Sequence, residues 1–482
     1  MKNIIKKSLG LCFIATTIFS CTDYVSDMNV DPDLLTDSDS RNLFQGILLA
    51  NQFFQTSSNT RDVMIWLNQA NGENRQYVSL NDWNLSTAST FDDSWNNAYV
   101  NCITNAKITQ LKAEKESSPR TLGAAQVIEA HAMGTVTSLW GDAPYTELDI
   151  TGNNLTPKYD TQVSIYNNLQ LLLDKAIVNL KITTGKGIPA DKDIYFAGSA
   201  AKWIKLAYSL KARYYLHVKD YPKAKANALL GISNASEDFI AIFGNSFGQN
   251  FNPNYEFLVY QRDDYMSGDS YGARLLDPSA SLYRGNAKTN ESARFAYTYN
   301  EEYFSPYGLN IYGGDYGGTN GKFGSDTGIP MVTFGEMLLL IAEVDARTSF
   351  ATGLASYNTY RALLSTGYSI GIANNGYERK TFKYDAYVLA DFAAGGMENT
   401  GPALTDQNAL LREIFQEKYI YFMGSYESFT DYRRSNNAAQ IQLKAGKAGT
   451  PQRLLYPQVE INANPNTPSP IPTIVTKTPV NN

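Results

Sequence analysis

A mainly α-helical chain is predicted by three observations. First, apolar residues recur at helical spacing in segment after segment, so each segment carries one apolar face. Second, these segments begin and end on residues that start and stop helices. Ala124–Trp140 is the clearest case: Val127, Ile128, Ala132, Val136, Leu139 and Trp140 share a face, and Gly141 and then Pro144 end it. Third, long helices follow one another across short turns, the pattern of a helical-hairpin array, although no fixed repeat period is present. The longest internal stretch that lacks the pattern is residues 234–330.

In chain order, Ser40–Thr56 carries Leu43, Phe44, Ile47, Leu48 and Phe53 at helical spacing, and a second helix is expected over Asp62–Asn71. Gly72–Thr87 breaks the periodicity and is expected to be an exposed loop bearing Arg75, Tyr77, Asn81 and Trp83. Ser89 or Thr90 then caps a helix with Asp92 and Asp93 in its first turn, where acids favour the positive end of the dipole. That helix continues through Trp95, Tyr99, Ile103 and Ile108 to Lys115. The central helix Ala124–Trp140 is rich in Ala, Gly and Ser, so neighbours can approach it closely. Val163–Leu180, Ser199–Val218 and the Pro222-led Tyr221–Leu230 follow. Beyond the insertion, helices are predicted at Thr333–Arg347, Gly353–Leu364, Lys383–Ala393 and Asp406–Met423, with a coiled tail from Gly446. Inside the insertion, glycines from Gly308 to Gly328 alternate with tyrosines that include Tyr307, Tyr312 and Tyr316. A long irregular segment in a helical protein points to function.

Composition sets bounds on chemistry. The 482 residues carry a net charge of −6, which argues against nucleic acid as a partner. The three cysteines, Cys12, Cys21 and Cys102, give no metal spacing and no disulfide framework. Cys102 reads as a small buried hydrophobe. The two histidines, His131 and His217, fall inside predicted helices and read as structural. No phosphate loop, zinc motif or nucleophile elbow occurs, and no cofactor is implied. The Asp-rich loops leave a structural Ca²⁺ open.

The first residues read as an export signal with an anchor. Lys2, Lys6 and Lys7 precede the apolar run Leu9–Phe19, too short to span a bilayer. Ile18-Phe19-Ser20-Cys21 resembles a bacterial lipobox, with Phe19 bulkier than usual, and makes Cys21 the lipid-attachment residue. The expected organisation is a signal peptide over 1–20, an acidic tether over 21–40, and one helical domain over 41–482 that holds the 234–330 insertion.

Five segments in register resemble the SusD/RagB family of outer-membrane nutrient-binding lipoproteins, in its divergent SusD-like branch. They are the lipobox and acidic tether from Cys21 to Asp33, the turn Trp140-Gly-Asp-Ala-Pro-Tyr145, the helix Trp203–Arg213, the segment Glu413–Arg434 with its D..R ending, and Arg453-Leu-Leu-Tyr-Pro457 with Glu460 and Asn462. The resemblance implies degenerate tetratricopeptide-like hairpins with a loop-rich binding face and no catalysis. It also implies a lipid-anchored protein at the outer-membrane surface that works with a SusC-type TonB-dependent transporter. The cargo implied is a glycan, with oligopeptide as the alternative, and starch specificity is not carried over.

Sugar binding needs flat aromatic platforms beside amides, carboxylates and guanidiniums. The family's site lies partly in the loop that here precedes Phe91. Trp83 is therefore the first candidate platform, with Arg75, Tyr77, Asn81 and Asp82 around it. Tyr307, Tyr312 and Tyr316 on the glycine-rich insertion form the second group. A lipid-anchored glycoside hydrolase is the reading from another class. It would use two of Asp142, Glu147 and Asp149, or the Asp263–Asp264 pair, as acid and base or nucleophile. Against it, an acid in a post-helical turn more often binds backbone amides, as expected of Asp142. A third reading is a transporter scaffold with no ligand of its own.

Overall fold

The computed structural model describes residues 38–246, 250–300, 305–312, 321–370, 381–402 and 404–482. Helices dominate. They are α1 (Ser40–Gln55), α2 (Asn59–Trp66), α3 (Asn105–Lys115), α4 (Pro119–Trp140), α5 (Gln162–Lys181), α6 (Ala200–His217), α7 (Tyr221–Ala228), α8 (Phe334–Thr348), α9 (Phe350–Leu364), α10 (Asp406–Tyr421) and α11 (Tyr426–Arg434). Consecutive helices pack as antiparallel-type hairpins, α3 on α4, α4 on α5, α6 on α7 and α8 on α9. The mainly helical, tetratricopeptide-like architecture expected from the sequence is the one observed.

Local chemistry explains the boundaries. Side-chain oxygens of Asp39, Thr161, Ser199, Thr333, Ser349, Thr405 and Ser425 accept backbone N–H bonds at the starts of α1, α5, α6, α8, α9, α10 and α11. Gly141 ends α4 at φ +83°, a conformation open to glycine. The helical stretch that leads into α3 begins one turn earlier than expected, on Thr87, whose backbone N–H is met by Thr90 Oγ1 at 3.3 Å. It then passes through Asp92–Asn96 and a wider-wound Asn97–Thr104 before α3.

The central helix is buried almost throughout. Its small residues matter where they face neighbours: a Cβ on Gly134 would lie 2.2 Å from the Tyr214 ring, whose hydroxyl donates to Ala130 O at 2.7 Å. The tail does more than coat the surface. Leu454 N donates to Leu139 O at 3.0 Å, Trp140 Nε1 to Leu455 O at 2.8 Å, and Tyr456 OH to Asp142 O at 2.7 Å. Arg453 caps the Trp140 carbonyl. The second and fifth family-like motifs thus close on each other and hold the end of α4. The third motif does similar work: Trp203 Nε1 donates to Asp193 at 2.8 Å, and Arg213 forks onto Glu336 of α8.

Strand structure is confined to short ladders. These include β1 (Asn71–Gly72), β2 (Phe239–Ala241), β3 (Met266–Ser267), β4 (Gly308–Leu309) and β5 (Ile329–Val332). β2 pairs antiparallel with β5 and closes the neck of the irregular insertion. The structure moves the helix expected over Asp62–Asn71 to Asn59–Trp66, with Asn71 in β1, and corrects another helix outright. Lys383–Ala393 is a two-residue strand, Lys383–Tyr384, followed by a single helical turn, Leu389–Phe392. The reason is tertiary: Tyr384 and Tyr387 are buried, and their hydroxyls bond Glu291 and Glu398, which pulls the backbone out of helix.

That second tyrosine makes a stability prediction. Burial, then the charge of Glu413, push the Glu398 carboxyl up to about 8. The folded chain therefore holds a proton there that the unfolded chain releases near the ordinary glutamate value of 4.5. Stability falls as pH rises between those two values. In Glu398→Gln, which keeps an acceptor for Tyr387 and Asn286, we expect this loss to vanish and stability at pH 8.5 to rise by ~1–3 kcal/mol. Urea denaturation at pH 5 and pH 8.5 checks it; parallel pH dependences in both proteins would contradict it.

Candidate ligand-binding face

Three loops lie side by side at one face. β1 pairs with β3 (Asn71 opposite Ser267, Gly72 opposite Met266), and Glu73 N extends the pairing to Tyr265 O at 2.8 Å. Asn74 Nδ2 donates to Asp264 at 2.8 Å. Gly268 N then donates to Tyr307 O at 2.7 Å, which adds the insertion. A fourth strip comes from the tail, where Lys444 Nζ donates to Asn71 Oδ1 at 2.5 Å. Fold-back of a distant segment has thus brought the 71–83 loop and Tyr307 together. Gly72 is required for this: a Cβ there would lie 1.8 Å from Tyr77 O.

The expected exposed loop at 72–87 is corrected in its two large rings. Trp83 is 1% exposed, and its Nε1 donates to Ala448 O at 3.2 Å. Tyr77 is also buried, its ring 4.8 Å from Phe257 and 5.8 Å from Tyr265, with Arg61 Nε donating to its hydroxyl at 3.3 Å. Neither offers a face to a sugar. Both anchor the loop, because exposing so much ring surface costs more than a short helical turn can return. Asn81 staples the loop by accepting from Gly72 N at 3.1 Å and donating to Gly72 O at 2.7 Å. Asp82 caps the turn through Asn84 N at 3.1 Å and faces Lys447 at 3.7 Å. Arg75, at φ +48°, is exposed.

The tyrosine group divides as well. Tyr307 is half-buried, and its hydroxyl donates to Asp277 Oδ2 at 2.6 Å. Burial and that carboxylate push the hydroxyl up to about 12. The Arg274 guanidinium sits 5.7 Å above its ring. Tyr312 is 46% exposed. Tyr316 lies outside the described residues, as does Cys21.

Two exposed groups here escaped the sequence reading. Tyr260 is 54% exposed and lies parallel to Phe251, with centroids 5.8 Å apart. Arg262 is exposed and sits 5.5 Å above the Tyr265 ring. The signal was the polar run Tyr260-Gln-Arg-Asp-Asp264, which departs from helical periodicity beside an aromatic. Lys444, half-buried, is pushed down to about 8 by burial, although Glu73 and Asp269 oppose the shift. Exposed rings beside guanidiniums and carboxylates can stack on the apolar face of a pyranose and bridge its vicinal hydroxyls.

Of the carboxylates offered for hydrolysis, Asp142, Glu147 and Asp149 accept backbone amides, and Asp264 accepts the Asn74 side-chain amide. Gln162 N donates to Asp142 at 2.8 Å, and Lys158 N to Glu147 at 2.9 Å. Asp149 accepts from the amides of Thr151 and Asn153, both at 2.8 Å. Asp142 thus binds a backbone amide, as expected. His131 bonds Asn51 at 3.1 Å and is pushed down to about 3 by burial. His217 sits between Tyr166 and Glu427, each at 3.0 Å. Burial pushes the Cys102 thiol up, which makes it inert. Among the described residues, no group of three His, Cys, Asp or Glu can hold a metal ion. Among them, also, no helix is long and apolar enough to cross a membrane.

Tetratricopeptide-like hairpins that hold a loop face of this kind define the SusD class of proteins. The chain belongs to the SusD-like family described as "Starch-binding associating with outer membrane", whose model matches residues 33–457. Solved structures share the fold. A SusD/RagB family protein from Bacteroides thetaiotaomicron has 22% identity and a TM-score of 0.63, over 89% of this chain and 95% of that one. A chitin-binding SusD homolog from Flavobacterium johnsoniae has 15% identity and a TM-score of 0.66, over 91% and 98%. A SusD homolog from Bacteroides fragilis has 17% identity and a TM-score of 0.63, over 92% and 99%. No curated protein matches the chain.

Proposed function

We propose that the protein is a non-catalytic glycan-binding lipoprotein, anchored through Cys21 at the outer-membrane surface. It captures an oligosaccharide on the loop face and delivers it to a partner SusC-type TonB-dependent transporter. The observation that carries this reading is the pairing of β1 with β3 and of Gly268 with Tyr307, which gathers loops that carry exposed Arg75, Tyr260 and Arg262 and half-buried Tyr307, with exposed Tyr312 further along the insertion. The family description and the chitin-binding structural neighbour support a glycan as ligand. Tyr307 extends the platform on the insertion side, and Asn81, Asp82 and the buried Trp83 hold its frame. The reading uses no cofactor.

A platform that covers about 50 Å² of sugar contributes roughly 1 kcal/mol. Two or three platforms with hydrogen bonds give millimolar to micromolar affinity, weak enough for release. Calorimetric titration of the mature chain against starch and chitin oligosaccharides and short peptides tests this. Tyr260→Ala, Tyr312→Ala and Arg75→Ala should each weaken binding of the preferred oligosaccharide about fivefold, without a change in thermal stability. Binding of peptides alone would replace the ligand class. Release of shortened sugars during the titration would overturn the non-catalytic reading.

A further inference from the structure

The insertion meets α10 at a small cavity of ≈ 10 Å³. Arg294, Tyr297, Thr298 and Lys322 line it from the insertion, Ser369 from the turn after α9, and Tyr421 from the end of α10. Lys322 N donates to Tyr297 O at 2.8 Å, which joins the two strips of insertion. Ser369 is brought there at φ +57°, a left-handed backbone that residues other than glycine rarely adopt. Among the described residues, no hydrogen bond or ion pair reaches Lys322 Nζ, and none reaches the hydroxyls of Tyr297, Thr298 or Ser369. Thr298 is 4% exposed. Burial alone pushes the Tyr297 hydroxyl up to about 12, and burial with the charge of Arg294 pushes the half-buried Lys322 down to about 8. Polar groups withdrawn from water are nearly always bonded, so four unbonded ones around one cavity point to a bound species.

Charge and size select the occupant. No Asp or Glu is among the described residues that line the cavity. Arg294 spends Nη1 and Nη2 on Glu417 at 3.1 and 3.0 Å, so it offers the cavity its charge only. Glu336, which lines a neighbouring cavity with Lys322, is held by Arg213 at 2.7 and 2.6 Å. The Lys322 ammonium is thus the cation left without a counter-charge. A water molecule would satisfy the hydroxyls but would leave that charge uncompensated, at a cost that burial makes large. A second cation would be repelled. The volume admits the centre of about one water-sized sphere, which excludes phosphate, sulfate and carboxylates. What remains is a monatomic anion, and the ammonium and three hydroxyls are all donors to it.

We propose that this cavity binds a single chloride ion, held by Lys322 and the hydroxyls of Tyr297, Thr298 and Ser369, which fastens the insertion to α10. The site shares no residue with the loop face and does not depend on the ligand class proposed above. The test is urea denaturation of the intact protein in about 0.3 M sodium chloride and in sodium gluconate of the same strength, whose anion is too large to enter. The unfolding constant should be at least about fivefold lower in chloride, the factor for a site with Kd ~70 mM or tighter. Lys322→Met keeps the aliphatic stem and removes the unpaired charge, so it should fold and show no difference between the salts. Tyr297→Phe, which loses one donor, should fall between the two. Independently of any variant, crystals soaked in sodium bromide should show an anomalous peak in the cavity, in contact with Lys322 Nζ. Equal unfolding constants in the two salts, a salt effect that persists in Lys322→Met, or no bromide peak would each overturn the proposal and leave water as the occupant.

Discussion

Truncation of Trp83 to alanine should lower the stability of the protein by about 3–5 kcal/mol. The ring is 1% exposed, and its indole N–H closes on Ala448 O, so the change leaves a cavity and removes one of the two bonds to that carbonyl. The tail segment that it holds also receives Asn84 Nδ2 at 3.0 Å on the same carbonyl. The consequence for ligand binding is indirect: affinity should fall only because the loop frame loosens. Equilibrium urea denaturation alongside calorimetry separates the two effects. A protein of unchanged stability that has lost all oligosaccharide binding would show that the ring meets the ligand, contrary to its burial. Trp83→Phe, which keeps most of the packing, should recover more than half of the lost stability.

Glu343→Gln should cost a similar ~3–5 kcal/mol, because it leaves buried cations without their partner. Glu343 is fully buried on α8 and receives the Arg434 guanidinium through two bonds, at 2.6 and 2.7 Å. Lys418 reaches it at 2.7 Å and also meets Asp431 at 3.0 Å. Burial on its own would raise the Glu343 carboxyl, but Arg434 and Lys418 outweigh it and hold the group well below the usual carboxylate range. Its stabilisation is therefore complete above the ordinary glutamate value and is lost as pH falls through the depressed folded one. The wild-type protein should outlast the variant in urea at pH 7, and the gap should narrow on strong acidification. A difference below about 1 kcal/mol at pH 7 would mean that the pair is solvated, in the manner of surface ion pairs.

These two residues show how the motifs divide. The D..R ending, Asp431 and Arg434, is legible in sequence as a family-like pattern, but its work is to pin α11 to α8 and α10. The Trp140–Tyr145 turn and the Arg453–Pro457 segment, 313 residues apart at Arg453 and Trp140, are likewise two halves of one clamp. Motifs that signal the family thus build the frame. The exposed groups proposed to meet a ligand, Arg75, Tyr260, Arg262 and Tyr312, all lie outside them.

The sequence by itself determined the helices. Caps such as Thr161, Ser199 and Thr333, the stop at Gly141 and the apolar faces are short-range features, decided within one or two turns of chain. It also marked the irregular insertion and the non-helical break at Gly72–Thr87, though not that the two lie side by side. Tertiary structure decided which aromatics face water. Trp83 is buried by a carbonyl 365 residues away, and Tyr77 by Phe257 and Tyr265, and no local pattern encodes such partners. The same holds for Lys383–Ala393, where two tyrosines reach buried carboxylates and override a local helical tendency. Periodicity and capping act between near neighbours, whereas burial of a loop ring depends on which distant segment folds over it.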